Sequence, residues 1–205
     1  MKILVSQPKF EDSTCQLEAE MRKHLDVDIV IFPEGYLKSN IEAASTLAGK
    51  YKKILITGYK KPKDRALIIG CNGDVILDRE KYADAVISQV DGIKIGFLLC
   101  DELLLLDLHG IVGREIDFFA HPIGVGMFSD EQFSEWIEKA TRIAVEHRTV
   151  VIGTSHANGK LKGHDISIPI SYCINRDGTS IYISKNETSS KIVEIRNNSV
   201  SVVSS

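Results

Sequence analysis

Hydrophobic runs alternate with amphipathic segments along the first sixty residues. Residues 29–32 are apolar at consecutive positions, which is typical of a strand buried on both faces. Leu17, Met21 and Leu25 recur every four residues, the spacing of a helix with one apolar face. This alternation predicts strands at about 2–7, 28–32 and 54–59, separated by helices from about 13 to 25 and from about 40 to 50.

The pattern changes to hairpins beyond residue 60. Two apolar runs flank Asn72-Gly73, a pair that strongly favours a tight β-turn. The predicted strands that follow lie at about 66–70, 75–77, 93–99, 118–120, 150–153, 168–174, 181–184 and 191–196. A helix is predicted from the acidic residues after Cys100 to about Gly113, a second from about 130 to 147, and a polar tail after about residue 197. We therefore expect one α/β domain spanning residues 1–205, with a mixed sheet or two sheets and helices outside.

The amino-acid composition argues against several classes of protein. Of the 205 residues, 43% are hydrophobic and 26% are charged, and the net charge of −3 argues against nucleic acid as the main partner. No apolar run approaches the roughly 20 residues needed to span a bilayer, and the polar Gln7 interrupts the start too early for a signal peptide. Four cysteines without regular spacing do not make a disulfide scaffold. A soluble, cytoplasmic protein without a membrane partner is expected.

Cys100 stands where a buried strand meets the start of a helix. The positive end of a helix dipole favours the thiolate at such a corner, whereas the adjacent Asp101 and Glu102 raise the thiol pKa. A nucleophile here would need a separate base, and by position alone a buried structural cysteine is an equal interpretation. The other three cysteines fit structural roles better.

Other ionisable residues are individually uninformative. Glu34 follows a buried strand and Lys81 follows a hairpin strand, but each alone is best interpreted as a surface or capping residue. The histidines contain no i,i+4 pair and no HExxH motif, so no metal site is predicted; they are His24, His109, His121, His147, His156 and His164. A Cys–His dyad using His121 or His156 stays open, because such partners meet in space rather than in sequence.

Three sequence segments that contain Glu34, Lys81 and Cys100 form a recognisable set of motifs when taken in order. Residues 29–34 end in Phe-Pro-Glu, residues 72–81 form an Asn-Gly-Asp-Val hairpin with a lysine eight positions after the glycine, and residues 92–102 carry Gly-x-x-x-Gly before Cys100. Residues 142–147 and 171–178 flank them with further similar motifs. Together the segments resemble the nitrilase superfamily of carbon–nitrogen hydrolases, from Met1 to about residue 196.

The resemblance implies both a fold and a mechanism. The fold would be a four-layer α-β-β-α sandwich of two mixed sheets. Glu34 would be the general base, Cys100 the nucleophile, and Lys81 with the Asp101 backbone N–H the oxyanion donors, without a metal or an organic cofactor. The substrate would be a small amide, carbamoyl compound or nitrile, cleaved at a non-peptide C–N bond through a thioester.

The resemblance also implies a homodimer or higher homo-oligomer. The apolar surface for this assembly would come from the helix that carries Phe133, Trp136, Ile137 and Ile143, or from residues 103–108.

The chain also departs from the family pattern. The stretches between Glu34 and Lys81 and between Lys81 and Cys100 are short, and Asp101 replaces the usual aromatic residue. The second glutamate of many members has only Asp84 and Asp91 as counterparts. Two alternatives remain: a Cys–His hydrolase or glutamine-amidotransferase-like enzyme, and a catalytically silent nitrilase-fold binding protein.

Overall fold

The computed structural model describes residues 1–60, 62–84, 86–160, 162–163, 165–197 and 199–203; His164 lies outside these residues. The helices are α1 (Cys15–Lys23), α2 (Ile41–Tyr51), α3 (Glu102–Leu105) and α4 (Asp130–His147). The strands are β1 (Lys2–Val5), β2 (Ile29–Ile31), β3 (Ile54–Tyr59), β4 (Arg65–Ile69), β5 (Val75–Glu80), β6 (Val86–Val90), β7 (Ile93–Phe97), β8 (Phe118–Ile123), β9 (Val150–Ser155), β10 (Ile170–Ile174), β11 (Ser180–Lys185), β12 (Lys191–Arg196) and β13 (Ser199–Val203).

The strands form two mixed sheets. The first has the order β13-β12-β1-β2-β3-β4-β5, and the second has the order β11-β10-β9-β8-β7-β6. In the first sheet β1, β2 and β3 are parallel, whereas β4 and β5 return as antiparallel hairpin strands. In the second sheet the central strands β7, β8 and β9 are parallel. Short apolar runs in the sequence correspond to these central strands because both of their faces are covered.

Three hydrophobic clusters define the layers. One cluster lies between the sheets and joins residues such as Ile31 and Ile56 of the first sheet to Phe97 and Ile152 of the second. A second cluster packs α1 and α2 on the outer face of the first sheet, and a third packs α3 and α4 on the outer face of the second. The predicted α-β-β-α sandwich is confirmed.

Two predicted segments differ from the structure. The helix expected from Cys100 to Gly113 ends at Leu105, and only a single 3-10 turn, His109–Ile111, follows it. The expected polar tail after residue 197 instead supplies β13, which pairs with β12 at the edge of the first sheet. None of the helices in the described part of the chain is long and apolar enough to cross a membrane.

The side chains predicted to form an oligomer surface are mostly used inside the protomer. Trp136, Ile143 and Leu103 are buried in the cluster beneath α4, where Phe133 and Ile137 are also partly buried. The second sheet therefore covers most of these side chains, whereas Leu105, within residues 103–108, is 65% exposed.

Candidate active site

The two sheets bring the three predicted catalytic side chains to one end of the sandwich. Glu34 lies three residues beyond β2, Lys81 directly follows β5, and Cys100 lies three residues beyond β7. The hairpin returns β5 to the direction of β3, so the carboxyl ends of β2 and β5 reach the same edge of the first sheet. The second sheet adds Cys100 from across the interface between the sheets.

Lys81 and Glu34 form an ion pair at this edge. Lys81 Nζ donates to Glu34 Oε1 at 2.9 Å, and the Glu34 side chain is 4% exposed. The Cys100 thiol lines the same cavity, and its interaction with the Glu34 carboxylate acts to lower the pKa of Glu34. Glu34 is therefore near both the cation and the thiol, so that it is positioned to exchange a proton with the sulfur.

Asp101 holds Lys81 from the other side. Its Oδ1 lies 2.9 Å from Lys81 Nζ, while the Tyr82 hydroxyl donates to Oδ2 at 2.7 Å. The Asp101 backbone N–H, the predicted oxyanion donor, lies in the turn directly after Cys100. The lysine thus lies between two carboxylates, and the second comes from the residue after the cysteine.

The two acids that lie between the lysine and the cysteine in the sequence are placed elsewhere. Asp84 is exposed, and Asp91 lies in the turn between β6 and β7, where it raises the pKa of the Cys71 thiol. Neither lines the cavity that contains Lys81 and Cys100.

Burial and neighbouring charges set the protonation of the cluster. Burial raises the pKa of Glu34 above its ordinary value, although the Lys81 ammonium opposes that shift. Burial, followed by the Glu34 charge, also raises the pKa of the Cys100 thiol, with Lys81 and the Gly124 backbone N–H acting against it. Burial alone would lower the pKa of Lys81, but the carboxylates of Glu34 and Asp101 and the Cys100 sulfur raise it. The resting cluster is therefore an ammonium, a carboxylate and a protonated thiol, which share protons as a group.

The Cys100 backbone has a left-handed conformation, with φ of 55°. Such a conformation is strained for a residue with a side chain, and surrounding contacts must maintain it. The Cys100 N–H donates to the Pro122 carbonyl at 2.9 Å, and His121 Nε2 donates to the Cys100 carbonyl at 2.7 Å. Because a carbonyl only accepts, His121 carries its proton on Nε2, and Nδ1 then accepts from the Tyr172 hydroxyl.

His156 acts on the Glu34 backbone in the same way. Its Nε2 donates to the Glu34 carbonyl at 3.2 Å, and its ring stacks on Phe10. Burial lowers the pKa of both His121 and His156 to about 4. Both rings are therefore neutral at pH 7 and bind the main chain of Cys100 and Glu34 rather than the thiol.

A cavity of about 380 Å³ opens over Glu34, Lys81 and Cys100. Gly124, which lies on its wall after β8, was not predicted from the sequence. A Cβ added at Gly124 would lie 2.5 Å from Glu34 Oε2, and the Gly124 backbone N–H opposes the rise in the pKa of the Cys100 thiol. Only glycine leaves room for the carboxylate here, but this contact had no sequence signal beyond the Gly-Val-Gly segment itself.

The rest of the cavity wall is largely apolar on one side and polar on the other. The apolar residues are Leu104, Val125, Met127, Phe128 and Trp136, and the polar residues include Lys60, Asp64, Gln132 and Glu135. Among the residues that the structure describes, no group of three or more His, Cys, Asp or Glu side chains has the arrangement of a metal site.

Comparison with known proteins identifies the fold. No protein-family model and no curated protein sequence matches the chain. Among solved structures, a mutant of the Nesterenkonia AN1 amidase from the nitrilase superfamily is similar with a TM-score of 0.77 at 12% identity, covering 95% of this chain and 90% of the amidase. The chain has the nitrilase-superfamily fold.

Two further structures extend the comparison. A carbon–nitrogen hydrolase from Helicobacter pylori is similar with a TM-score of 0.71 at 16% identity, covering 93% of this chain and 87% of the hydrolase. Another mutant of the Nesterenkonia amidase has a TM-score of 0.77 at 13% identity, with 95% and 90% coverage. That amidase shows covalent addition of the acetamide moiety of fluoroacetamide at its active-site cysteine.

Proposed function

We propose that the protein is a carbon–nitrogen hydrolase that cleaves a small amide-type substrate through a thioester on Cys100. The observation that carries this proposal is the convergence of Glu34, Lys81 and Cys100 on one cavity, with the ammonium 2.9 Å from the Glu34 carboxylate. The shared core between the sheets supports treating residues 1–205 as a single hydrolase domain.

The first half of the reaction forms the thioester. Glu34 takes the thiol proton as the Cys100 sulfur attacks the substrate carbonyl carbon. The Lys81 ammonium and the Asp101 backbone N–H stabilise the developing oxyanion. A single donor of this kind contributes about 3 kcal/mol to transition-state stabilisation.

The second half releases the products. Protonated Glu34 donates its proton to the departing amine, the C–N bond breaks, and the acyl group stays on sulfur. Glu34 then removes a proton from a water molecule that attacks the thioester, and the thiol leaves with that proton. The raised pKa of Glu34 suits a group that must both accept and donate a proton.

The geometry favours this mechanism over a Cys–His dyad. The His121 and His156 Nε2 atoms are engaged with main-chain carbonyls, and both rings have pKa values of about 4. The alternative of a silent binding protein is disfavoured by the open cavity above the thiol.

The assembly that we propose is a homodimer. Leu105, Val112 and Val145 are 65%, 47% and 49% exposed and are the apolar side chains available around α3 and α4. Light scattering at micromolar concentration should give about twice the 22.7 kDa mass of one chain. A monomer mass would contradict the homodimer without affecting the chemistry.

The proposed activity is tested by an ammonia-release screen. Small aliphatic amides, ω-amides, carbamoyl amines and nitriles are offered to the wild type and to Cys100→Ala. We expect release from at least one class by the wild type and none above background by the variant. Equal release by both proteins, or no release from any class, would contradict the proposal.

A further inference from the structure

Glu102 and Arg79 form a buried ion pair next to the proposed catalytic residues. Arg79 donates from both terminal nitrogens to the two Glu102 carboxylate oxygens, at 2.8 and 2.6 Å. The Glu102 side chain is 0% exposed and the Arg79 side chain is 6% exposed. From the sequence, Glu102 was expected only to raise the pKa of Cys100, whereas in the structure its carboxylate is buried against a specific partner.

The Glu102 carboxylate also binds two backbone N–H groups. Tyr82 N donates to Oε1 at 2.6 Å, and Leu99 N donates to Oε2 at 2.7 Å. Arg79 and Tyr82 flank Lys81 on the hairpin, and Leu99 immediately precedes Cys100. One carboxylate therefore ties both sides of the lysine to the cysteine turn.

This connection joins two parts that the sheets leave separate. Lys81 follows β5, the edge strand of the first sheet, whereas Cys100 follows β7 in the second sheet. Backbone hydrogen bonds within each sheet hold β5 and β7 in place. Among the described residues, no strand pairing joins β5 to β7. Tyr82 and Cys100 both have left-handed φ values, 64° and 55°, so each turn requires such external support.

We propose that Glu102 and Arg79 are positioning residues that set the distance between the Lys81 ammonium and the Cys100 sulfur. They act through the main chain at Tyr82 and Leu99 and do not touch substrate. The proposal rests on the proposed hydrolase function for its catalytic consequence. It also makes a prediction for the thiol alone, which requires no substrate.

The leading test variant is Arg79→Lys. It keeps a positive charge near Glu102 but loses the two-pronged contact, since an ammonium cannot donate to both oxygens in the same plane. Displacement of the lysine by a fraction of an ångström to one ångström should lower kcat by up to about 100-fold, with KM changed much less. Glu102→Gln should behave in the same way because an amide group cannot accept from all four donors.

The matched control is Arg65→Lys. Arg65 lies on the same hairpin, and among the described residues its ion pairs are with Asp78 and Glu80 of β5 rather than with the cysteine turn. We expect its kcat to stay within about threefold of the wild type, as for other surface ion pairs. Thermal unfolding of every variant provides the folded fraction to which rates are normalised.

The substrate-independent readout is the pH dependence of Cys100 alkylation by iodoacetamide. It is measured by peptide mass spectrometry in a Cys15→Ser background, because Cys15 is exposed. Displacement of the Lys81 ammonium away from the sulfur should move the alkylation midpoint up, by as much as about one pH unit, in Arg79→Lys and not in Arg65→Lys.

Different results would contradict the positioning role and the hydrolase function. An unshifted alkylation midpoint in folded Arg79→Lys and folded Glu102→Gln would overturn the positioning role, even if the wild type releases ammonia. A midpoint that shifts in Arg79→Lys and Glu102→Gln, together with no ammonia release by the wild type, would support the positioning role and contradict the hydrolase. Activity loss that merely follows the unfolded fraction would also overturn the positioning role.

Discussion

The Lys81 ammonium lies 2.9 Å from a Glu34 carboxylate oxygen, although 47 residues separate them in the chain. The contact depends on a hairpin that carries Lys81 back to the edge where β2 ends. It places a permanent cation beside the group that must take a proton from Cys100. The chemistry of the cluster therefore depends on the shape of the ammonium as well as on its charge.

Replacing the lysine tests that dependence. Lys81→Arg retains the charge, but its planar guanidinium does not fit a site shaped for a compact ammonium between Glu34 and Asp101. We expect Lys81→Arg and Lys81→Ala each to lower kcat/KM at least about 100-fold in steady-state assays, with the fold retained by circular dichroism. The double variant Lys81→Ala with Cys100→Ala should be no worse than Cys100→Ala alone. Lys81→Arg with near wild-type activity would contradict the oxyanion role.

Gly124 offers a test of the cavity wall. The methyl group of Gly124→Ala would lie 2.5 Å from Glu34 Oε2, so the carboxylate must move away from the thiol. We expect kcat to fall about 100-fold, because the proton acceptor is displaced by about an ångström. Gly110→Ala is the control, since nothing lies within 4 Å of a Cβ added there. Equal kcat values for the two variants would mean that Glu34 is not held against Gly124 during catalysis.

The protonation of Glu34 should determine how kcat/KM falls at acidic pH. Burial raises its pKa above the ordinary 4.5, and Glu34 must be deprotonated to accept the thiol proton. Activity is therefore expected to fall as pH drops through a midpoint above 4.5, and Glu34→Gln should have no such limb at its residual rate. Stopped assays between pH 4 and 9 measure the midpoint. A limb at or below 4.5 would contradict a buried carboxylate base.

The buried histidines predict acid-sensitive stability. His121 and His156 have pKa values of about 4 in the fold and about 6.5 when unfolded, so the unfolded chain binds protons first as pH falls. Their stabilisation is complete above pH 6.5 and is lost progressively down to pH 4, and each shift corresponds to about 3 kcal/mol. The raised pKa of Glu34 has the opposite effect on the pH dependence of stability. Urea unfolding at pH 7 and pH 5 should show a lower midpoint at pH 5.

Substitution of His121 and His156 tests whether these residues support the backbone or take part in the reaction. His121→Gln and His156→Gln should weaken the dependence of the urea midpoint on pH while leaving measurable turnover. Turnover as low as that of Cys100→Ala in a folded variant would restore the Cys–His alternative.

The sequence predicted the residues at strand ends better than it predicted their surroundings. Glu34 and Cys100 each follow a short apolar strand, Lys81 follows a hairpin strand, and the alternation of strand and turn is a local pattern. Gly124 and the Arg79–Glu102 pair could not be predicted, because their roles arise from contacts between distant segments. The helix expected after Cys100 failed for a physical reason: consecutive leucines cannot all face one side of a helix. The chain instead becomes extended at Leu106, which allows Leu108 to be buried.

The thioester on Cys100 is the central claim, and acid-quenched mass spectrometry tests it most directly. The wild type and Cys100→Ala are mixed with a small amide found active in the ammonia screen, quenched within a turnover, and digested. We expect the mass of the substrate's acyl group on the peptide that contains Cys100 in the wild type, and no added acyl mass on the corresponding peptide of Cys100→Ala. Ammonia release with the acyl group on Cys15, Cys71 or Cys173, or with no acylated peptide under single-turnover conditions, would contradict it.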